Sequence, residues 1–167
     1  MSGLVCCFTG HRNQKLPWGF IESGERFNAV KQQAEHQIDR AIDEGFTTFI
    51  CGMALGFDML CAEIVLDRKD KLCESKPIKF ICAIPCENQD KFWNEKQRKR
   101  YRYLLDRADI VYFASKTYNP YCTEKRNHFM VDNSSRVIAL FGGSDGGTKN
   151  TLNYALKEGK EVVIIQP

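Results

Sequence analysis

Short, continuous apolar runs alternate with longer amphipathic segments along the chain. The apolar runs are residues 4–8, 47–51, 78–84, 110–113, 136–141 and 162–165. Continuous rather than alternating apolarity is typical of strands that are covered on both faces, as in a parallel sheet. The sequence therefore predicts about six buried strands.

The segments between these runs have the apolar spacing of helices. From Glu25 onward, one face carries Phe27, Val30, Ala34, Ile38, Ala41 and Ile42, and Gly45 is a natural stop. A helix over residues 90–107 is predicted with Phe92, Trp93, Tyr101, Leu104 and Leu105 on its apolar side. Further helices are predicted after Asp58, over residues 123–131 and over residues 152–158.

Strands that alternate with helices from end to end predict a doubly wound α/β fold with a mostly parallel sheet. We expect residues 1–167 to form one domain, because the chain shows no linker and has the usual length of a domain. In such sheets ligands bind beyond the carboxyl ends of the strands, where the strand order reverses. The loops that follow the strands are therefore the candidates for a site.

Composition narrows the function classes. The net charge of +3 is weak evidence for nucleic acid, and no apolar run approaches the ~20 residues of a membrane span. Eight cysteines lie largely in apolar runs without a Cys-x-x-Cys pair, and the three histidines lack zinc-finger spacing. We therefore expect no disulfide framework, no metal and no membrane partner, and a cytoplasmic location, because no signal peptide is present.

A glycine-rich loop follows the fifth predicted strand. Gly142, Gly143, Gly146 and Gly147 lie within six positions, directly before Thr148, Asn150 and Thr151. Glycines let a ligand approach the backbone, and the free N–H groups that open a helix favour an anion. This pattern predicts a phosphate-binding site, although an ordinary strand-to-helix turn can have a similar glycine-rich sequence.

A second loop of the same design follows the second predicted strand. It contains Gly52, Met53, Ala54, Gly56 and Asp58. Asp58 has two interpretations, as a cap of the next helix or as an acceptor for a ribose hydroxyl. We expect the two glycine loops to meet around one negatively charged small molecule.

Residues 51–58 resemble the Gly-x-Ala-x-Gly-x-Asp loop of the SLOG superfamily, which includes the SMF/DprA and LOG proteins. Residues 126–148 resemble the LOG branch, where an Arg on a short helix precedes a strand and a Gly-Thr loop. Thr9-Gly10-His11-Arg12 and the segment 84–89 are similar to small stand-alone members of unknown function. The resemblance implies a Rossmann-like three-layer α/β/α sandwich.

The resemblance also implies a pocket for a nucleotide, a nucleotide sugar or an ADP-ribose-like compound, or for DNA in the DprA branch. It carries over to Gly52, Ala54, Gly56 and Asp58 in the first loop and to Gly142, Gly143, Gly147 and Thr148 in the second. Arg126 matches a catalytic or phosphate-contacting arginine of LOG enzymes. The alternative for Arg126 and its neighbour Lys125 is a solvated helix face.

One departure from the LOG pattern concerns catalysis. Where LOG-type phosphoribohydrolases have a Glu after the Gly-Thr pair, this chain has Thr151. The carboxylate that would activate water or stabilise an oxocarbenium-like centre is therefore missing. The sequence favours a sensing or regulatory binding module over an enzyme, and no catalytic residue is assigned.

Two other functions stay open. A nucleoside-monophosphate glycosidic-bond hydrolase would need Glu63, Glu87 or Asp132 in place of the missing carboxylate. A DprA-like protein would bind single-stranded DNA, but the basic run 96–102 is more typical of a solvated helix face.

The expected partner is a nucleotide-like small molecule, with nucleic acid less favoured, a homodimer left open and no cofactor. The predicted ligand-binding residues are Thr9, Gly10, His11, Arg12, Gly52, Met53, Ala54, Gly56, Asp58, Pro85, Arg126, Gly142, Gly143, Gly146, Gly147, Thr148, Asn150 and Thr151.

Overall fold

The computed structural model describes residues 3–167, in which strands and helices alternate. The strands are β1 (Leu4–Gly10), β2 (Phe46–Cys51), β3 (Lys79–Cys86), β4 (Ile110–Ser115), β5 (Arg136–Leu140) and β6 (Glu161–Ile165). The helices are α1 (Glu25–Asp43), α2 (Phe57–Leu72), α3 (Glu95–Asp106), α4 (Cys122–Asp132) and α5 (Gly147–Lys157). A 3₁₀ turn, Asn13–Lys15, follows β1.

All six strands pair in parallel, in the order β4-β3-β2-β1-β5-β6. The predicted Rossmann-like α/β fold is therefore confirmed. The chain builds outward from β1 to β4, then returns across the sheet and adds β5 to the other side of β1. Because the connections after β1 and β5 lead away in opposite directions, a crevice forms between the carboxyl ends of these two strands.

The core lies in two layers, one on each face of the sheet. On one face Phe8 and Phe49 pack with buried residues of α1 and α2. On the other face Cys7 and Ile50 pack with Met130 of α4 and with buried residues of α5. The face predicted for α1 is confirmed, since its buried residues are Phe27, Val30, Ala34, Ile38, Ala41 and Ile42.

Several element boundaries differ from the predictions, among them those of β3 and of the last helix. β3 continues through Pro85 to Cys86 instead of ending before the proline. β3 pairs with β2 only as far as Cys82, whereas its pairing with β4 continues to Cys86. Pro85 therefore lies where the strand has one neighbour, and a residue without an N–H is tolerated there. The last helix begins at Gly147, inside the predicted glycine loop, rather than at Leu152.

α3 begins at Glu95, later than the prediction. Asn94 accepts a hydrogen bond from the Gln97 N–H at 2.8 Å, and the Gln97 side chain accepts one from the Asn94 N–H at 3.0 Å. This capping box fixes the start of the helix. Phe92, predicted on the apolar side, therefore lies before the helix and is 90% exposed.

Candidate functional site at the switch point of the sheet

A cavity of about 360 Å³ opens at the carboxyl ends of β1 and β5. Its walls come from the segments after β1 and β2, from α4 and from the start of α5. The two glycine-containing segments thus share one cavity, as the sequence suggested. Nine of the predicted residues line it: Thr9, Gly10, His11, Arg12, Ala54, Asp58, Arg126, Gly147 and Thr148.

The other predicted residues do not line this first cavity. Pro85 lines a second, adjoining cavity. Asn150 and Thr151 line a third hollow beside α4, which shares Thr123, Asn127 and Gly147 with the first cavity. Six residues support the loops without lining any of these cavities: Gly52, Met53, Gly56, Gly142, Gly143 and Gly146.

Asp58 and Arg126 are both buried in the wall of the first cavity. Arg126 donates from Nη1 to the carbonyl oxygens of Gly52 and Ala83, and from Nε to Asn127 Oδ1 at 2.7 Å. A Cβ on Gly52 would lie 2.8 Å from Arg126 Nη1 and 2.9 Å from Asp58 Oδ2. The absence of a side chain at Gly52 therefore allows the Arg126 guanidinium and the Asp58 carboxylate to approach the backbone closely.

The carboxylate of Asp58 is only partly satisfied. Its Oδ2 accepts a hydrogen bond from the Ala54 N–H at 3.2 Å, whereas Oδ1 is buried without a partner among the described residues. Desolvation raises the pKa of Asp58, and the charge of Arg126 opposes that rise. Asp58 accepts no bond that caps α2, so the capping interpretation fails. Its Oδ1 stays a buried, unpaired acceptor on a residue that lines the cavity.

His11 connects the carboxyl ends of β1 and β5, where the strand order of the sheet reverses. Its backbone N–H donates to the carbonyl of Leu140 at 3.3 Å, and its Nε2 accepts from the Gly142 N–H at 3.0 Å. An accepting Nε2 requires a neutral imidazole with its proton on Nδ1. Desolvation by burial, followed by the charge of Lys15, lowers the pKa of His11 from 6.5 and favours this form.

Gly56 provides close contact between the segments after β1 and β2. Its φ is +103°, and a Cβ there would lie 2.8 Å from the carbonyl oxygen of His11. Glycine is therefore needed for its backbone angle and for its lack of a side chain.

The start of α5 supplies a positive wall. The helix begins after Gly146, whose φ is +138°, and no side chain of the described residues caps it. The Lys15 ammonium donates to the carbonyl of Asp145 at 2.9 Å and lies beside this helix start. Gly147 and Thr148 therefore present unbonded N–H groups to the first cavity, and the Lys15 ammonium lies next to them.

Sequence reasoning missed six lining residues, which are Phe8 of β1 and five others: Gln14, Lys15, Thr123, Asn127 and Met130. Gln14 and Lys15 belong to the 3₁₀ turn that follows β1, in a stretch read only as irregular. Thr123, Asn127 and Met130 lie on α4 near Arg126. Thr123 and Met130 are three and four positions from Arg126, so helix geometry alone would have placed them on the same face of α4.

The carboxylates considered as catalytic replacements lie elsewhere. Glu63 is paired with Arg100, Asp132 accepts a hydrogen bond from the Tyr154 hydroxyl at 2.6 Å, and Glu87 is exposed after β3. None of them lines the first cavity, where Asp58 is the carboxylate among the described residues.

The geometry defines a class of protein: a parallel α/β protein with a polar cavity at the switch point of its sheet. The chain matches the family model named YpsA and described as the YspA SLOG family over residues 6–166, and it belongs to that family. The SLOG resemblance of the loops is thereby confirmed.

Several bacterial relatives are similar in sequence. The SPbeta prophage-derived protein YoqJ of Bacillus subtilis is 35% identical over 121 residues, which are 65% of this chain and 69% of YoqJ. The UPF0398 protein YpsA of the same organism is 26% identical over 158 residues, 92% of this chain and 84% of YpsA. UPF0398 proteins of Staphylococcus aureus are 23% identical over 135 residues, 80% of this chain and 70% of their own length.

Two solved structures share the fold. DNA processing protein A of Streptococcus pneumoniae superposes with a TM-score of 0.63 at 14% identity over 96% of this chain. The Helicobacter pylori protein, whose structure describes its single-stranded DNA binding mode, superposes with a TM-score of 0.62 at 18% identity, also over 96%. This chain spans 50% of the first protein and 64% of the second, and such low identity shows the fold alone.

Neither a membrane helix nor a metal cluster occurs within residues 3–167. No helix there combines the length and apolarity that a bilayer crossing requires. Likewise, no three His, Cys, Asp or Glu side chains are placed there to hold a metal ion. All eight cysteines are free.

Proposed function

We propose that the protein binds a nucleotide-derived small molecule in the first cavity and acts as a sensing or regulatory module. One observation carries the proposal. The uncapped start of α5 and Lys15 supply positive charge to the same cavity in which Asp58 holds a buried, unpartnered acceptor. A phosphate ester with free hydroxyl groups matches both features.

The phosphate belongs at the wall formed by α5. The first N–H groups of a helix have no partner within the helix, and the helix dipole adds partial positive charge there. Lys15 and Arg12 place two further cations on the lining. These N–H groups and cations suit the negatively charged oxygens of a phosphate, which accept several hydrogen bonds.

A hydroxyl-bearing sugar belongs near Asp58. A ribose hydroxyl would donate to the Asp58 carboxylate, one oxygen of which the protein leaves unpaired. The cavity volume of about 360 Å³ lies within the range of small-molecule sites. A nucleoside phosphate or an ADP-ribose-like compound combines these groups.

A binding role is favoured over hydrolysis because the cavity lacks a pair of carboxylates. Asp58 is the carboxylate among the described lining residues, and Thr151 donates its hydroxyl to the Gly147 carbonyl at 2.8 Å. Acid–base cleavage of a glycosidic bond ordinarily uses two such groups.

Single-stranded DNA binding is the second candidate, favoured by the fold shared with the two DNA processing proteins. On α3, however, Arg98 is paired with Asp90, and Arg100 with Glu22 and Glu63. These pairs compete with phosphate contacts. DNA binding would show as affinity for an oligothymidylate that falls steeply with salt, because neutralised phosphates release counterions.

Calorimetric titration of the whole chain with AMP, ADP-ribose, NAD and orthophosphate tests the proposal. We expect Lys15→Met to weaken all phosphate-bearing ligands by about tenfold, the size of one lost charge-assisted hydrogen bond. Asp58→Asn should weaken the ribose-bearing ligands and leave orthophosphate unchanged.

Lys149→Met is the matched control, because Lys149 lies in the first turn of α5 but is paired with Asp145 and does not line the cavity. If the folded protein binds none of the four compounds, the proposal is wrong. If Lys15→Met and Lys149→Met lose the same affinity for phosphate-bearing ligands, the positive wall at the start of α5 acts only as general surface charge.

A further inference from the structure

A second cavity of about 370 Å³ adjoins the first. Arg12, Gln14, Ala54 and Thr123 line both, so the two form neighbouring compartments of one depression. Charged and polar groups make up most of the lining of the first compartment, where Phe8 and Met130 are the large apolar side chains. The second differs in its chemistry, because aromatic rings form much of its wall.

These rings are unusually exposed. Phe20 is 55% exposed, Phe92 90% and Tyr118 73%, and a fourth ring, that of Trp93, lies in the same lining. They come from separate parts of the chain: the segment before α1, the turn before α3 and the loop after β4. Exposed apolar surface is costly, and its clustering around one opening marks a binding surface.

We propose that the second cavity receives the nucleobase of the ligand whose phosphate lies at the start of α5. The inference rests on the proposed function and names its specificity-determining compartment. A base is flat and has apolar faces, so it stacks on aromatic side chains and covers them from water. Continuity through Arg12 and Gln14 lets one molecule occupy both compartments.

The compartment assigns roles to particular residues. Phe92 and Tyr118 supply stacking surface, which accepts any base because every base has a π-face. The amide of Gln14 lies at the boundary, where it can bond to a base edge or to the sugar. The Gln89 amide is engaged with the Met53 carbonyl at 2.9 Å and holds the wall in place.

The test compares AMP with ribose 5-phosphate, which has the same phosphate and sugar but no base. In wild type, AMP should bind at least about tenfold more tightly, since one stacked base supplies that ratio. Phe92→Ala and Tyr118→Ala should each lower AMP affinity several-fold and leave ribose 5-phosphate unchanged. Both side chains are exposed, so neither change removes a core contact.

Tyr103→Ala is the control, because Tyr103 is 58% exposed on α3 and lines neither compartment. Equal binding of AMP and ribose 5-phosphate, unaffected by Phe92→Ala and Tyr118→Ala, would overturn this inference and leave the proposed function standing. Losses that are the same for both ligands would also overturn it. Failure of wild type to bind either compound would remove the proposed function and this inference with it.

Discussion

The backbone N–H of Gly142 donates to Nε2 of His11 at 3.0 Å and joins the loops that follow β5 and β1. These two loops leave the sheet in opposite directions, so the hydrogen bond closes the base of the crevice between them. It requires that His11 stays neutral, because a protonated ring would place a second donor against the Gly142 N–H.

Acidification should therefore weaken the fold through His11. Its pKa is lowered from 6.5 in the folded protein, so between the two values the unfolded chain binds more protons. The stability that His11 contributes is complete above about pH 6.5 and is lost as the pH falls toward the lowered pKa. Urea unfolding at several pH values should show the stabilities of wild type and His11→Gln converging on acidification.

His36→Gln is the comparison for this series, because His36 is exposed on α1, away from the crevice. Its unfolding free energy should track that of wild type at every pH. A constant difference between wild type and His11→Gln across the range would show that the bond does not depend on the proton.

Arg126 and Asp58 should be coupled in stability. Arg126→Met removes the main counter-charge of the buried Asp58 carboxylate and should lower the free energy of unfolding by about 3 kcal/mol. Adding Asp58→Asn removes the stranded charge, so the double variant should lose less than the sum of the single losses. Lys125→Met, at an exposed neighbour on α4, should change stability by less than about 0.5 kcal/mol.

Denaturant titration of all four variants measures this cycle. Additive losses would mean that the two groups act independently in the wall of the cavity.

Gly56 and Gly143 separate backbone strain from crowding. Their φ values, +103° and +97°, impose a similar cost on alanine, but only at Gly56 would the new Cβ meet a neighbour, the His11 carbonyl oxygen at 2.8 Å. Gly56→Ala should therefore destabilise the protein by at least about 1 kcal/mol more than Gly143→Ala. Thermal and urea unfolding measure the difference. Equal effects of the two substitutions would contradict the close contact between the loops that follow β1 and β2.

The thiols should divide sharply in reactivity. Cys73 is exposed, whereas the other seven cysteines are buried. A thiol reagent such as DTNB should modify one cysteine rapidly under native conditions, and Cys73→Ser should abolish that fast phase. Burial also raises the pKa of Cys7 and Cys82 to about 12, which keeps both as unreactive thiols. Rapid labelling of several cysteines would contradict the two-layered core.

The fold could be predicted because the pattern of buried strands does not depend on distant partners. Six apolar runs and the face of α1 were evident in sequence, since strands covered on both sides must be apolar throughout. The edge strands β4 and β6 differ from that expectation, because they are only partly buried. The start of α3 was not, because the capping box at Asn94 competes with an apolar pattern that begins earlier at Phe92 and Trp93.

The site was predictable only in part. Glycine loops mark places where backbone must come close, so the segments around Gly52 and Gly147 were visible as candidates. The sequence could not reveal that Gly52 lies against Arg126 without lining the first cavity, or that Lys15 reaches the start of α5. Both facts depend on contacts between residues that lie 74 and 130 positions apart.

The position of β1 has a consequence for how the molecule comes apart. β1 pairs with β2 on one side and with β5 on the other, so it holds the early and late parts of the polypeptide together. A molecule in the cavity at its end would bridge that seam, and it would have to leave before the two parts separate. Occupancy would then be readable as slower proteolysis and a higher melting temperature, with no need to follow any reaction.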